Sequence, residues 1–360
     1  MIFWFNKFSY FYHFNMNVPS TIVIRSILSL FISFFITLFC TLQLIKYFQK
    51  SKIFQIIRKN ILKKDKIKKN TPTMGGIAII ISIFLSSILF CDLSNIYIWY
   101  IIAILLGYGL VGLIDDYLKI KYKNTQGLTI KWKYFLLSFI ALIVVYFMYL
   151  QGKNTISTQL IIPFYKNFSL QIDYIYIIIS YFVIVGTSNA VNFTDGLDGL
   201  AIIPIIFLTS GFIIISLCSE NLYYLQYINV PYLKNTSELT VFCASIIGSG
   251  LGFLWFNAYP AQIFMGDIGS LSLGGILGII AVLLRQEILL IIMGGIFVVE
   301  TISVILQIFI FQITKKRLFK MAPIHHHYEI KKYSEPKIVI RFWIISLLLV
   351  LIGISLLKVY

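Results

Sequence analysis

Ten stretches of predominantly apolar residues, each about 17 to 25 residues long, succeed one another along the chain with short polar connectors between them. That length crosses a hydrocarbon core as an α-helix, so the repetition decides the fold class before any motif is considered. The spans fall at approximately 22–47, 74–94, 97–115, 134–151, 174–191, 199–217, 238–256, 269–285, 288–312 and 339–358. Of the 360 residues 59% are hydrophobic and 12% charged, against roughly 25% charged in an ordinary soluble domain. The expected architecture is an all-α integral membrane protein, a bundle of about ten transmembrane helices forming one polytopic domain over 1–360, with no soluble domain attached. The first span, beginning near Thr21, is long enough to stay in the membrane. The aromatic stretch before it, with Trp4, Phe5, Tyr10 and Tyr12, reads as an interfacial segment.

A net charge of +16 would suit nucleic acid if it were spread over a folded surface. Here it is gathered into loops. Connector 48–70 carries about nine Lys and Arg, 116–133 about five and 313–338 about seven, whereas 152–173 and 218–237 together carry about three. The asymmetry places the basic loops in the cytoplasm, and an even number of spans then puts both termini on the periplasmic side. Nucleic acid is not an expected partner; anionic lipid headgroups and a phosphorylated substrate are. Every conspicuous polar motif falls on the cytoplasmic side. That counts against a transport path, and no internal repeat supports an inverted-repeat transporter. In the outer loop, Ser157–Ile162 and Phe168–Ile172 alternate on either side of Pro163 and suit a small hairpin. Cys40, Cys91, Cys218 and Cys243 lack metal-ligand spacing and read as packing residues.

Five polar constellations share the cytoplasmic face. The run from Gly186 to Leu200 sets Asn189, Asn192, Asp195 and Asp198 between two apolar stretches. A carboxylate at a helix centre costs about 2.5 to 3.5 kcal/mol, so these belong where hydrophobicity breaks and water enters. Gly196 and Gly199 permit backbone conformations closed to other residues and close approach of a ligand. A plain polar turn between two helices would have the same composition. The run Lys68 to Gly76 joins lysines able to hold phosphate to a Thr71-Pro72-Thr73 turn, although Lys68 and Lys69 also read as positive-inside anchors. In Gly112 to Lys119, Asp115 and Asp116 project about 100° apart on a helix, and Lys119, one turn on, shares the face of Asp115. Such a division suits one carboxylate for base or metal work and the other for organising the lysine; neighbouring acids also raise one another's pKa.

The run Phe256 to Ser270 presents Asp267 between Gly266 and Gly269, an exposed carboxylate in a flexible turn before a helix N-terminus. Phosphate and a divalent cation suit such a place, and Mg²⁺ is the natural cation for oxygen ligands. The last run, Met321 to Glu329, holds His325, His326 and His327 after Lys315, Lys316, Arg317 and Lys320. Consecutive side chains diverge, which argues against zinc; phosphate-facing donors or proton-transfer helpers fit better, with one ring turned inward. Glu300, in the middle of the ninth span, is expected to pair within the bundle. Together these groups fit Mg²⁺-assisted phosphoryl transfer, in which positioning and charge neutralisation supply most of the catalysis.

In Thr71-Pro-Thr-Met-Gly-Gly76, Leu113-Ile-Asp-Asp-Tyr117, Asn192-Phe-Thr-Asp-Gly-Leu-Asp-Gly-Leu-Ala201, Phe264-Met-Gly-Asp267 and Ala322-Pro-Ile-His-His-His-Tyr-Glu329, the chain resembles the bacterial phospho-N-acetylmuramoyl-pentapeptide transferases. These belong among the polyprenyl-phosphate N-acetylhexosamine-1-phosphate transferases. The resemblance implies transfer of phospho-MurNAc-pentapeptide from UDP-MurNAc-pentapeptide to undecaprenyl phosphate, giving lipid I and UMP, by a ten-helix enzyme of the bacterial inner membrane that dimerises. It implies that Asp115 and Asp116 act at the lipid phosphate, that Asp267 binds Mg²⁺, and that Lys68, Thr73, Lys119 and, less strongly, Lys133 line the phosphate pocket. Asn192, Asp195, Asp198, Asn257 and Phe264 fall on nucleotide-side positions, and His325, His326 and His327 on the catalytic loop at the sugar and diphosphate end. Asn70 departs from the glycine usual before Thr71, which leaves the path of that turn, and the choice of Lys68 over Lys69, open. A sister enzyme that hands GlcNAc-1-phosphate to the same lipid shares the acidic motifs. The histidine segment resembles the muramoyl branch. A transporter or lipid scaffold with an acidic vestibule is the rival from another class.

Overall fold

The computed structural model describes residues 18–51, 54, 71–124, 126–152, 158–161, 169–225, 228 and 230–357. The aromatic segment around Trp4 to Tyr12, and Lys68, Lys69 and Asn70, lie outside the described residues. Helices α1 (Val18–Lys50), α2 (Gly76–Phe90), α3 (Ile96–Tyr122) and α4 (Ile130–Gly152) precede a hairpin of β1 (Gln159–Ile161) and β2 (Ser169–Gln171). Then come α5 (Ile175–Thr194), α6 (Ile202–Glu220), the single turn α7 (Leu222–Leu225), α8 (Ser237–Asn257) and α9 (Gly266–Leu283). Helices α10 (Glu287–Met293), α11 (Gly295–Thr314), α12 (Ile324–Ile330) and α13 (Glu335–Leu356) complete the order.

Among the described residues nine helices are long and apolar enough to cross a membrane, and the protein is a multi-pass helical membrane protein. The second expected span is shorter than the sequence suggests. Helix α2 has 15 residues, roughly 22 Å of rise against a hydrocarbon core of about 30 Å. The ninth expected span is broken at Gly294 into α10 and α11, where two consecutive glycines remove side-chain packing and weaken the helix. Helix α3, by contrast, outruns its apolar stretch. Asn95 caps its start through Tyr97 N (2.9 Å), and Lys123, with φ 48°, ends it in a left-handed cap seven residues beyond Asp116. The hairpin forms where the alternation placed it, pairing Gln159 with Gln171 and Ile161 with Ser169.

Helix α9 is the centre of the bundle. It is buried without interruption from Ile268 to Leu283 and packs against α2, α3, α5 and α6. Its small residues, among them Gly274 and Gly278, let the backbone of α5 approach closely, as an interior membrane helix requires. The outer helices carry the complementary pattern: Phe31, Phe35 and Phe39 on α1, and Ile305 and Phe309 on α11, are exposed, as lipid contact demands. Hydroxyl pairs join α1 to α2, Ser29 with Ser86 at 2.9 Å and Thr37 donating to Ser82 at 2.7 Å. Such bonds hold helices together where lipid offers no hydrophobic drive.

At the end of the bundle away from the acidic motifs, Arg25 of α1 is only 4% exposed. Its guanidinium grips both oxygens of Glu238 (3.0 and 2.5 Å) and donates to Phe90 O (3.1 Å). Glu238 in turn accepts Asp92 N at 2.8 Å. One ion pair thus ties the starts of α1 and α8 to the end of α2. The four cysteines are free, consistent with packing roles.

Candidate active site

Asp115 and Asp116 are buried near the end of α3, and Asp267 opens α9. One oxygen from each lies within 4.8 Å of the others. Neighbouring residues on a helix can converge this way because α9 starts directly against α3: a Cβ added to Gly112 would stand 2.5 Å from the Asp267 carbonyl oxygen. Gly266, at φ +74°, makes the turn into α9 that a side chain would strain.

Lys119 shares the face of Asp115, as the spacing predicts, and it also reaches Asp116. Lys119 Nζ straddles them, 2.6 Å from Asp115 Oδ2 and 3.5 Å from Asp116 Oδ1, and reaches Asp267 Oδ2 at 2.9 Å. The other oxygens are fixed by backbone, Asp115 Oδ1 accepting Leu128 N (2.8 Å) and Asp116 Oδ2 accepting Ile268 N (3.3 Å). Both acids therefore serve one pocket. Asp267 departs from expectation. It lies in a helical first turn, its side chain only 19% exposed, because Lys119, Lys133 (2.5 Å) and Asn192 Nδ2 (3.1 Å) all hold it. The positive end of α9 adds to the same attraction.

Three carboxylates thus face two ammonium groups, with Lys133 also 3.8 Å from Asp115. All the acidic ligand atoms are hard oxygens, and the lysine nitrogens occupy the place a cation takes. The donor set fits a small divalent metal.

Asn192 meets this cluster from α5, also donating to Ser270 Oγ at 2.7 Å. Asp195, just past the end of α5, is half-buried. Burial first, then the charges of Asp267, Asp116 and Asp198, pushes its carboxyl up to about 8. Asp198 and Asn257 lie elsewhere. Asp198 accepts Ala261 N (3.0 Å) while its own N–H donates to Glu335 (3.0 Å). Asn257 accepts Gly199 N (3.0 Å) and donates to Ile263 O (2.8 Å). Both pin loops 195–201 and 258–265 to each other. Gly199 has the left-handed φ (+72°) that only glycine adopts freely. Phe264 lends its backbone to the Thr71–Gly76 segment, accepting Gly75 N (2.8 Å) and donating to Pro72 O (2.9 Å). Thr73 is buried in that segment. Lys68 lies outside the described residues.

The three histidines take three directions. His325, fully buried, has Nδ1 3.1 Å from Glu300 Oε1, and Glu300 Oε2 accepts Ile324 N at 3.0 Å, so Glu300 pairs within the bundle as expected. The same ring closes on Gly196, where an added Cβ would collide with Nε2. His326 contacts Glu329 at 2.6 Å, and His327 Nδ1 accepts Lys320 N at 3.1 Å. Desolvation first, then Lys331 and Lys320, lowers the His327 pKa. Sequence reasoning ranked Lys133 too low and passed over Ser270 and Glu335. Lys133 sits in the first turn of α4 after a basic loop, and Ser270 stands one helical turn from Asp267; those spacings were the available signals. Glu335 gave none.

The chain matches the family model described as glycosyl transferase family 4 over residues 98–285. It also matches the phospho-N-acetylmuramoyl-pentapeptide-transferase signature 1 over 68–80. It is similar to the phospho-N-acetylmuramoyl-pentapeptide-transferases of Buchnera aphidicola subsp. Acyrthosiphon pisum strains APS, 5A and Tuc7. With each it shares 61% identity over 359 residues, 100% of both chains.

Proposed function

The chain belongs to the phospho-N-acetylmuramoyl-pentapeptide-transferase family, and from that premise we propose that the cluster of Asp115, Asp116, Asp267, Lys119 and Lys133 is the centre at which it works. The reaction is transfer of phospho-MurNAc-pentapeptide from UDP-MurNAc-pentapeptide to undecaprenyl phosphate, forming lipid I and UMP. The observation that carries this assignment is the convergence of three carboxylates and two lysines from α3, α4 and α9 on one pocket.

A diphosphate donor and a lipid phosphate are both anionic, so the first task of the site is to let them approach. Lys119 and Lys133 neutralise phosphate oxygens, and their hold on Asp267 keeps them aimed before substrate arrives. Asp115, Asp116 and Asp267 are the residues that would hold Mg²⁺, which when bound supplies charge neutralisation at the transferring phosphoryl group. In this reading Asp115 and Asp116 act at the lipid phosphate, supported by the Leu128 and Ile268 N–H groups that fix them in the pocket. Asn192 orients Asp267 from the nucleotide side, with Asp195 beside it. Asp198 and Asn257 shape the loops that frame that side, and His325 to His327 border them through Gly196. Lys68, Thr73 and Phe264 complete the phosphate and nucleotide pocket in this reading. The basic connectors support a cytoplasmic site, periplasmic termini and an inner-membrane location for one polytopic domain; the homodimer rests on the resemblance.

Purified protein with Mg²⁺ and undecaprenyl phosphate is expected to release UMP from UDP-MurNAc-pentapeptide. UMP formed from UDP-GlcNAc, with none from the muramoyl donor, would transfer the assignment to the sister branch.

A further inference from the structure

A cavity of about 310 Å³ lies at the other end of the helices from the acidic cluster. The start of α3, the ends of α4 and α9, the start of α5 and the loop before α8 line it. Along α3 alone, Tyr97 and Asp115 are separated by roughly 27 Å of helix rise. Polar side chains line much of it, among them those of Asn95, Tyr97, Gln151, Tyr176, Asn235 and Arg285. The central one is Arg285. It is 3% exposed, its guanidinium stacks 4.5 Å from the Tyr176 ring centre, and it donates to the Tyr176 hydroxyl at 3.2 Å. Buried Glu287 forms a long ion pair with it, at 3.5 Å. Among the described residues the buried Nε has no hydrogen-bond partner.

A guanidinium is always charged and carries five donors in a rigid fork, more than Glu287 and Tyr176 use, so one lining a cavity suits an oxyanion. The neighbours suit the same ligand. The Tyr176 hydroxyl accepts from Arg285, so its own proton is available to donate. Tyr100 donates to Gln151 Oε1 at 3.0 Å, which leaves the Gln151 amide nitrogen as a further donor. Exposed Lys234 adjoins the lining residue Asn235 and adds positive charge at the rim. The volume is at the small end for ligand pockets, enough for a phosphate with a short ester but not for a sugar nucleotide.

We propose that this cavity is a second ligand site, separate from the transfer reaction, that binds a phosphate-bearing anion through Arg285 with Tyr97, Gln151 and Tyr176. The phosphate comes either from a lipid headgroup at that membrane face or from solution, and the chemistry recognised is the same. Binding of dihexanoylphosphatidylglycerol, of inorganic phosphate and of phosphate-free dioctanoylglycerol to the full-length protein in an uncharged detergent tests it by calorimetry. The expected result is saturable binding of the anionic lipid that weakens at least tenfold in Arg285→Gln, is partly restored in Arg285→Lys, and weakens several-fold in Gln151→Ala. Gln151 is exposed, so that variant and Tyr97→Phe carry the test if Arg285→Gln fails to fold. Competition by inorganic phosphate identifies the bare oxyanion as sufficient. Lipid binding without such competition identifies the esterified headgroup. Equal binding of dioctanoylglycerol, or binding untouched in the folded variants, overturns the proposal.

Discussion

Replacing Lys133 by Met tests the electrostatic logic of the acidic cluster more sharply than removing an acid would. The side chain of Lys133 is 18% exposed and that of Asp267 19%, so water screens their 2.5 Å contact only partly. The methionine keeps most of the length and removes the charge. A hydrogen bond to a charged group is worth about 1.5 to 3 kcal/mol. If Lys133 makes such a bond to the substrate diphosphate in the transition state, turnover falls about 10- to 150-fold. The second consequence has the opposite sign. Lys133 occupies Asp267 Oδ2, the oxygen a metal would use, and Lys119 alone then faces three carboxylates. Less Mg²⁺ is therefore needed for half-maximal activity in the variant, even though the maximum is lower. UMP release measured across a Mg²⁺ titration reads both quantities. Unchanged turnover, or a variant that demands more Mg²⁺, would refute the placement of Lys133 between metal site and substrate.

Asp267→Asn is expected to abolish Mg²⁺-dependent UMP release while the melting temperature in detergent stays close to that of the parent; normal activity would end its metal role. Glu238→Gln leaves Arg25 buried without its counter-charge and should cost about 3 to 5 kcal/mol, read as a lowered melting temperature. The double change Arg25→Met with Glu238→Leu should recover most of that loss. Asp195, with its carboxyl pushed up to about 8, favours folding in its protonated form. That contribution is complete below the ordinary value of about 4 and disappears as pH rises through about 8. Without Mg²⁺, Asp195→Asn should melt above the parent at pH 8.5 and match it at pH 4; an equal gap at both would discard the assignment.

The helices were legible because each must be long and apolar, and the acids because so few interrupt that pattern. What the sequence concealed was distance. Asp115 and Asp116 diverge on an isolated helix; only the start of α9, brought against Gly112, makes them neighbours of Asp267. For the same reason Asp267, flanked by glycines, looked exposed until Lys119, Lys133 and Asn192 closed round it. Asp198 and Asn257 have the composition of ligand-binding residues, yet Asp198 accepts Ala261 N and Asn257 bonds Gly199 N and Ile263 O, loop backbone that no local pattern distinguishes. The short α2 escaped a reading based on hydropathy, since a length set by tertiary packing leaves no hydropathic mark, and so did the break at Gly294, where two glycines weaken the helix without making the stretch polar. Arg25 and Glu238 went unnoticed for a related reason: each is a lone charge at the edge of an apolar span, and the pair exists only in three dimensions.

That pair also imposes an order in time on assembly. Arg25 and Glu238 are 213 residues apart, and at about 5 to 20 residues per second roughly 10 to 40 s of synthesis separate them. During that interval α1 sits in the bilayer with an uncompensated cation, held toward the headgroups by its own charge. When α8 inserts, its glutamate captures the arginine and draws the end of α2 in through the Phe90 carbonyl and the Asp92 N–H. The first of the described helices is consequently locked only when α8 inserts, and a nascent chain halted before Glu238 would hold α1 in the membrane without this latch.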